Sequence, residues 1–195
     1  MKIIGLTGSI GMGKSVAARQ WQSLGVPVHD ADAAVHRLLE PKGKAFPLVK
    51  EAFPSCIIDG AIERKSLGQI IFHDPVKRKI LEDILHPLVR ENSHKFIEAC
   101  RRRREPVCVL DIPLLFETGR NRHVDTTMCV TAPHWVQKRR VLRRPNMTEA
   151  KFKAIAKTQM HDYRKKALSD YVVITARGRR HTLNAIKRIK KNEQF

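Results

Sequence analysis

The chain has 195 residues, enough for one domain, with or without a subdomain, that buries a substantial core. Its 42% hydrophobic and 29% charged residues exclude a disordered chain and a fibrous repeat. The formal net charge of +19 indicates affinity for polyanions, which include nucleic acid, acidic membrane surfaces and small polyphosphate ligands.

The first elements in chain order are a strand, a glycine-rich turn and a helix. An apolar run at residues 2–6 predicts the strand, and the helix predicted at residues 14–24 ends at Gly25. A second short strand is predicted at residues 26–29, and another helix follows it. This alternation is typical of an α/β protein.

The pattern changes at residues 41–100, where apolar positions recur at helical spacing and the one weak strand signal lies at 56–58. Further strands are predicted at 107–110, 126–130 and 171–174, and further helices at 133–142, 148–166 and from about 182. We therefore expect an α/β fold in which helices cover both faces of a central parallel sheet. Residues 1–40 and 105–195 would form the core, and residues 41–104 a helical insertion.

The sequence does not fit a membrane-spanning or a secreted protein. No apolar run approaches the roughly 18–20 residues that span a bilayer, and the first residues do not form a signal peptide, so we expect a cytoplasmic protein without a membrane partner. The four cysteines are scattered and form no C-x-x-C pair. Reduced thiols are therefore expected.

Residues 8–15 carry the first motif with a specific chemistry. They read GSIGMGKS and satisfy G-x-x-x-x-G-K-[ST], between a predicted strand and a predicted helix. The glycines allow successive backbone N–H groups to face phosphate oxygens, and the helix adds its positive N-terminal end. Lys14 would contact the β- and γ-phosphates, and the Ser15 hydroxyl would bind Mg²⁺. The sequence therefore predicts a P-loop that binds a nucleoside triphosphate.

The chain is too short for a motor or a helicase and lacks an N-K-x-D motif, which leaves a compact kinase. A kinase needs a carboxylate that accepts the proton of the acceptor hydroxyl. Asp30 and Asp32 follow the second strand and would point the same way if that strand continues. Alternatively, one of them caps the next helix. Asp111 ends the third strand and is either a Mg²⁺-organising carboxylate or a turn residue before Pro113.

With these motifs in place, the chain resembles the dephospho-coenzyme A kinase family nearly from end to end. The resemblance rests on residues 5–15, 30–32, 60–67, 85–90 (LHPLVR), 111–117 (DIPLLFE), 140–144, 159–160 and 169–172. It implies transfer of the ATP γ-phosphoryl group to the 3′-hydroxyl of dephospho-coenzyme A, the final step of coenzyme A synthesis. ATP is then the co-substrate, Mg²⁺ the cofactor and dephospho-coenzyme A the acceptor.

The resemblance also implies roles for individual residues. Asp32 would be the general base, and Lys14 and Arg140 would clamp the transferred phosphoryl group. Arg144 would belong to a mobile lid at about residues 140–150. The residues expected to bind ATP are Gly8, Gly11, Met12, Gly13, Lys14, Ser15, Val16 and Arg144.

The helical insertion would bind the acceptor substrate. The residues expected to bind it are Asp30, Arg64, His86, Arg90 and Asp111. Asp30 would act structurally or through water, and His86 is alternatively a structural histidine at a helix break before Pro87.

Two segments depart from the family pattern. The sequence Arg144-Pro145-Asn146 stands where the family usually has Arg-Asp-Gly, and Ile174-Thr175 replaces an Asp-Asn pair after the last strand. An asparagine there could bond the adenine, so selectivity for adenine does not follow from the resemblance.

Basic residues form three clusters in the second half of the chain. Helical spacing places Arg140, Arg143 and Arg144 on one face, with an anion expected between them. Residues 101–104 (RRRR) are predicted to be a solvated turn. The terminal helix would expose Lys187, Arg188, Lys190 and Lys191 and turn Leu183, Ile186 and Ile189 inward.

A nucleic-acid-binding P-loop protein is the first rival interpretation. Residues 151–195 carry a net charge of +10, but the basic tail from about residue 182 contains no interleaved stacking side chain apart from the terminal Phe195. Only non-specific polyanion binding is therefore expected. The second rival is a kinase that acts on a nucleoside monophosphate or a sugar acid. The sequence does not determine the oligomeric state.

Overall fold

The structure, a computed structural model, describes residues 1–193; Gln194 and Phe195, and with them the terminal aromatic side chain, lie outside the described residues. The strands are β1 (Lys2–Thr7), β2 (Val28–Asp30), β3 (Ile57–Ile58), β4 (Ala61–Ile62), β5 (Val107–Asp111), β6 (Thr126–Thr131) and β7 (Tyr171–Ile174). The α-helices are α1 (Lys14–Ser23), α2 (Ala31–Leu38), α3 (Phe46–Ala52), α4 (Arg64–His73), α5 (Pro75–Arg102), α6 (His134–Leu142), α7 (Glu149–Lys157), α8 (Asp162–Leu168) and α9 (Arg179–Glu193).

The central sheet has five strands in the order β2-β5-β1-β6-β7. Strand β1 pairs in parallel with β5, and β6 with the edge strand β7, so that Ile4 lies opposite Val109 and Val130 opposite Val173. Every residue of β5 and β6 is buried, which requires that both faces of the sheet be covered. The predicted α/β class with a central parallel sheet is therefore confirmed.

The main core lies between the sheet and the helices α1 and α9. Trp21 of α1 is completely buried, and Ile186 of α9 packs into the same cluster as Ile4 and Val130. This packing fixes the first and last helices against the strand that leads into the P-loop. Since burial of apolar side chains is the main source of folding free energy, the loop is anchored to this core.

The chain divides into two compact units. The first comprises residues 1–29 together with those from residue 99 onward, and the second comprises Asp30–Glu98. The second unit therefore begins earlier and ends earlier than the insertion expected at 41–104. Its early start has a local reason, since the Ala45 N–H donates to the Leu38 carbonyl oxygen at 3.1 Å and thereby ties the end of α2 to the following loop.

Two secondary-structure predictions, those for residues 148–166 and 101–104, were wrong. The helix predicted at 148–166 is interrupted between α7 and α8, because Gln159 and Met160 are engaged by distant parts of the chain described below. The weak strand signal at 56–58, in contrast, is confirmed by β3, which forms a hairpin with β4. The turn residues Asp59 and Gly60 have φ of 49° and 75°. The first half of the tetra-arginine run lies in α5, and only Arg103 and Arg104 form the turn.

The four cysteines lie inside the protein. All four cysteines are free and buried, and burial raises the pKa of both Cys108 and Cys129 to about 12. Within residues 1–193, no helix combines the length and the apolar character that crossing a bilayer requires.

Candidate active site

The P-loop joins β1 to α1. Gly8, Gly11, Met12 and Gly13 lie in the turn, and Lys14, Ser15 and Val16 form the first turn of α1. Gly11 and Gly13 have φ of 76° and 94°, a region that L side chains rarely adopt. A Cβ atom on Gly11 would lie 2.6 Å from Val141 Cγ2, so neither the backbone angles nor the space allows a larger residue.

Two glutamines hold the turn through the backbone of Ile10. The Ile10 N–H donates to Gln159 Oε1 at 3.0 Å, and Gln137 Nε2 donates to the Ile10 carbonyl oxygen at 2.9 Å. Side chains from the region around α6 and α7 thus bind both the N–H and the carbonyl oxygen of Ile10. Sequence reasoning assigned Gln159 no role and missed Gln137, because a single glutamine in a polar helix carries no distinguishing signal.

Thr175, one of the two residues in the second departure from the family pattern, joins four parts of the site. Its hydroxyl donates to the Met12 carbonyl oxygen at 2.7 Å and accepts from Arg140 Nη1 at 2.8 Å. Arg140 Nη2 donates to the Thr175 carbonyl oxygen at 3.0 Å, and Nη1 lies 3.4 Å from the Gly11 carbonyl oxygen. The same hydroxyl lies 3.3 Å from the carbonyl oxygen of Thr131, at the end of β6. Thr175 therefore links the ends of β6 and β7 to the P-loop and to α6.

The predicted arrangement of Arg140, Arg143 and Arg144 needs correction. Helix α6 ends at Leu142 with Arg143 as its C-cap, so the helical face does not extend to all three residues. Arg140 is half-buried and contacts protein oxygens, whereas Arg143 and Arg144 are exposed. The three guanidinium groups therefore do not form one equivalent cluster.

We expect Thr175→Val to lower the free energy of unfolding by about 1–3 kcal/mol, because it leaves the buried Met12 carbonyl and the Arg140 guanidinium without their shared partner. Urea denaturation measures this change. Thr118→Val is the matched control, since the Thr118 hydroxyl also donates to a carbonyl oxygen, that of Leu114, but is exposed. A loss for Thr175→Val no larger than for the control would contradict the role of this hydroxyl.

Lys14 forms an ion pair with Asp111. Lys14 Nζ lies 2.7 Å from Asp111 Oδ1, and only 15% and 3% of the two side chains are exposed. Asp111 is the last residue of β5 and lies opposite Leu6 of β1. It is therefore a buried strand residue beside the P-loop, and its alternative assignment to the turn before Pro113 was wrong.

A buried lysine supports the segment that follows β5. Lys165 is completely buried, and its Nζ lies 2.9 Å from Glu117 Oε1 and 3.1 Å from the Pro113 carbonyl oxygen. Glu117 Oε1 also accepts from the Met160 N–H at 2.7 Å, and the Thr7 hydroxyl donates to the Pro113 carbonyl oxygen. These bonds tie residues 113–117 to the end of β1, to Met160 and to α8, and no sequence pattern had singled out Lys165.

Within the second unit, the structure separates the two aspartates after β2. The strand ends at Asp30, whose Oδ1 accepts from the Ala33 N–H at 2.9 Å and caps α2. Asp32 lies in the first turn of that helix with an exposed side chain. Strand alternation therefore does not orient the two carboxylates together, and the capping alternative is correct for Asp30.

The remaining predicted residues of this unit are exposed arginine and histidine side chains on helices. Arg64 begins α4, and His86 and Arg90 lie four residues apart on one face of α5. Helix α5 continues through Pro87, so the expected helix break is absent from it. His86 is also exposed, so it is not a structural histidine at a helix break.

Comparison with known proteins identifies the family of the chain. The family model described as dephospho-CoA kinase matches residues 2–179. The dephospho-CoA kinase of Mesorhizobium japonicum is 49% identical over 178 residues, which are 91% of this chain and 89% of that protein. A crystal structure of a Thermus thermophilus protein, 32% identical, has a TM-score of 0.87 and covers 100% of this chain and 98% of its own. The structure of dephospho-CoA kinase from Campylobacter jejuni has the same fold, with a TM-score of 0.67 at 21% identity over 99% of this chain and 97% of its own.

Proposed function

Since the chain belongs to the dephospho-CoA kinase family, we propose which of its residues transfer the γ-phosphoryl group of ATP to the 3′-hydroxyl of dephospho-CoA. This transfer completes coenzyme A synthesis. The observation that carries the assignment is the match over residues 2–179, because that stretch includes every site residue named above. The roles that follow rest on the contacts of each residue.

The phosphates of ATP bind to the backbone N–H groups of the P-loop and to Lys14. An ammonium group has three N–H donors, and Asp111 accepts one of them. The ion pair therefore sets the direction of the Lys14 side chain and leaves donors for the β- and γ-phosphate oxygens. A cation that is oriented before the reaction stabilises the developing charge without further reorganisation.

Mg²⁺ fits the oxygen donors that the P-loop offers. The Ser15 hydroxyl is exposed at the start of α1 and has no hydrogen-bond partner among residues 1–193. Mg²⁺ takes few ligands from protein and completes its octahedron with phosphate oxygens and water, so one hydroxyl suffices. Bound there, the ion would neutralise charge on the phosphates.

Asp32 accepts the proton of the 3′-hydroxyl. The side chain of Asp30 caps α2, whereas that of Asp32 is exposed and is therefore accessible to a substrate. By capping α2, Asp30 fixes the first turn of the helix that carries Asp32. Asp30 is in this proposal a positioning residue, and Asp32 is the catalytic base.

Exposed N–H donors of the second unit bind the acidic groups of the acceptor. Dephospho-CoA contains a pyrophosphate, and Arg64, His86 and Arg90 are exposed on α4 and α5. Guanidinium groups donate to phosphate oxygens in pairs, and this geometry favours them at such sites.

The two arginines around the end of α6 have different roles. The contacts of Arg140 with Gly11 and Thr175 leave two of its five N–H donors for a phosphate oxygen. It can therefore clamp the phosphoryl group while it remains tethered to the P-loop. Arg144 is exposed beyond α6 and belongs to the proposed lid at residues 140–150.

A panel of acceptors tests the proposed reaction. We expect ATP turnover with dephospho-CoA in the presence of Mg²⁺, with the new phosphate on the 3′-oxygen as identified by ³¹P NMR. Nucleoside monophosphates, shikimate and gluconate should give no turnover above the background rate. Turnover with one of these acceptors and none with dephospho-CoA would contradict the proposal.

A further inference from the structure

Helix α9 exposes a row of cations along its outer side. Arg180, Lys187, Arg188 and Lys191 are all exposed, and their spacings of seven, eight and eleven residues place them on one side of the helix. We call these four residues the α9 basic face. The opposite side, which includes Ile186 and Ile189, is buried in the core. Lys190, which the sequence predicted to be exposed, is half-buried and donates to the Leu24 carbonyl oxygen at 2.7 Å.

Within the described residues, the elements that α9 mainly contacts carry no carboxylates. Helix α9 packs mainly against α1, β7 and the turn at residues 175–177, and none of these contains Asp or Glu. Glu193, the one acidic residue of α9, is buried and accepts from the Thr126 hydroxyl at 3.1 Å. Within residues 1–193, none of the four cations forms an ion pair. Because like charges repel, such a row favours binding of an external polyanion.

The four charges of the α9 basic face lie outside the part of the chain to which the kinase reaction assigns a role. The family match ends at residue 179, where α9 begins, and every residue with a proposed role in the reaction precedes it. The α9 basic face contributes four of the positive charges within the net +10 of residues 151–195. A second ligand therefore accounts for it better than ATP or dephospho-CoA does.

We propose that the α9 basic face binds the phosphate backbone of nucleic acid without base specificity. From Arg180 to Lys191 the helix rises about 16 Å, over which one strand of a B-form duplex carries about five phosphates. The described residues from 175 to 193 expose no large apolar or aromatic side chain that could stack on bases. Contacts would thus be limited to phosphates, which carry no sequence information.

An acidic membrane is a weaker fit to the same surface. Helices that lie on membranes insert an apolar face beneath the headgroups. In α9 that face is already used, because Ile186 is completely buried and Ile189 is 5% exposed. The charges form a narrow row along one helix, which suits a linear polyanion.

Fluorescence anisotropy of a labelled 20-base-pair duplex, titrated with the full chain at several salt concentrations, tests the proposal. We expect a Kd of about 10⁻⁴–10⁻⁶ M that does not depend on base sequence. In the variant Arg180→Gln, Lys187→Gln, Lys191→Gln, affinity at low salt should fall about tenfold or more. The slope of log K against log salt concentration should become shallower by about 3. Kinase turnover should be unchanged, which shows that the variant is folded.

The matched control removes the same charge elsewhere, in the variant Arg102→Gln, Arg103→Gln, Arg104→Gln, whose three side chains are also exposed. This control should retain most of the affinity. An equal loss in both variants would overturn the proposal, because net charge and not α9 would then determine binding. Binding to phosphatidylcholine vesicles that contain phosphatidylserine, with no binding to the duplex, would also overturn it.

Discussion

We expect the replacement of Asp32 with asparagine to lower turnover with dephospho-CoA by about 10²–10⁴-fold and to leave ATP binding nearly unchanged. The expected loss is that of a general base, because the amide keeps the size of the side chain but cannot accept the proton of the 3′-hydroxyl. Steady-state kinetics give the turnover, and titration calorimetry with a non-hydrolysable ATP analogue gives the binding.

Asp30→Asn is the matched control for this experiment. Asparagine caps helices about as well as aspartate, so the bond to the Ala33 N–H and the first turn of α2 should persist. We expect Asp30→Asn to change turnover much less than Asp32→Asn does. If Asp30→Asn showed the larger loss, or if Asp32→Asn retained near-normal turnover, Asp32 would not be the base.

Replacing Lys14 with methionine should lower turnover by about 10²–10³-fold, as expected for the loss of a preorganised donor to the reacting phosphate. It should also lower the free energy of unfolding by about 3 kcal/mol, because the carboxylate of Asp111, 3% exposed, loses its counter-charge. One substitution thus affects both activity and stability, for different reasons.

The double variant Lys14→Met, Asp111→Asn separates these two effects. The second substitution removes the buried carboxylate charge that Lys14 balances, so urea denaturation should show that most of the lost stability is recovered. Turnover should remain as low as in Lys14→Met alone. Recovery of turnover together with stability would mean that Lys14 acts only through the structure of the site and does not contact the phosphates.

Much of the fold could be predicted because its signals are local. The strands β1, β5, β6 and β7 are short apolar runs, and each was predicted to within a few residues. The main errors lie where tertiary contacts override the local pattern. Residues 148–166 have helical composition, yet Gln159 bonds Ile10, which is 149 positions away in the sequence, and the helix is interrupted there.

The residues of the site were predictable to different degrees. The two aspartates after β2 could be singled out from their place in the sequence, but their spacing could not show that Asp30 caps a helix and Asp32 does not. Lys165 illustrates the opposite case. A lysine in a polar helix is normally exposed, and only the carboxylate of Glu117 and the carbonyl of Pro113 explain its complete burial.

The sequence by itself determined the P-loop, since phosphate binding by backbone N–H groups depends on eight consecutive residues whose conformation follows from their glycines. Only the tertiary structure decided what holds this loop in place. The loop is held by hydrogen bonds from Gln137, Gln159 and Thr175. Their partners in the loop lie 127, 149 and 163 positions earlier in the sequence, respectively. The partner of a buried polar group depends on how distant segments pack together, and no local pattern encodes that choice.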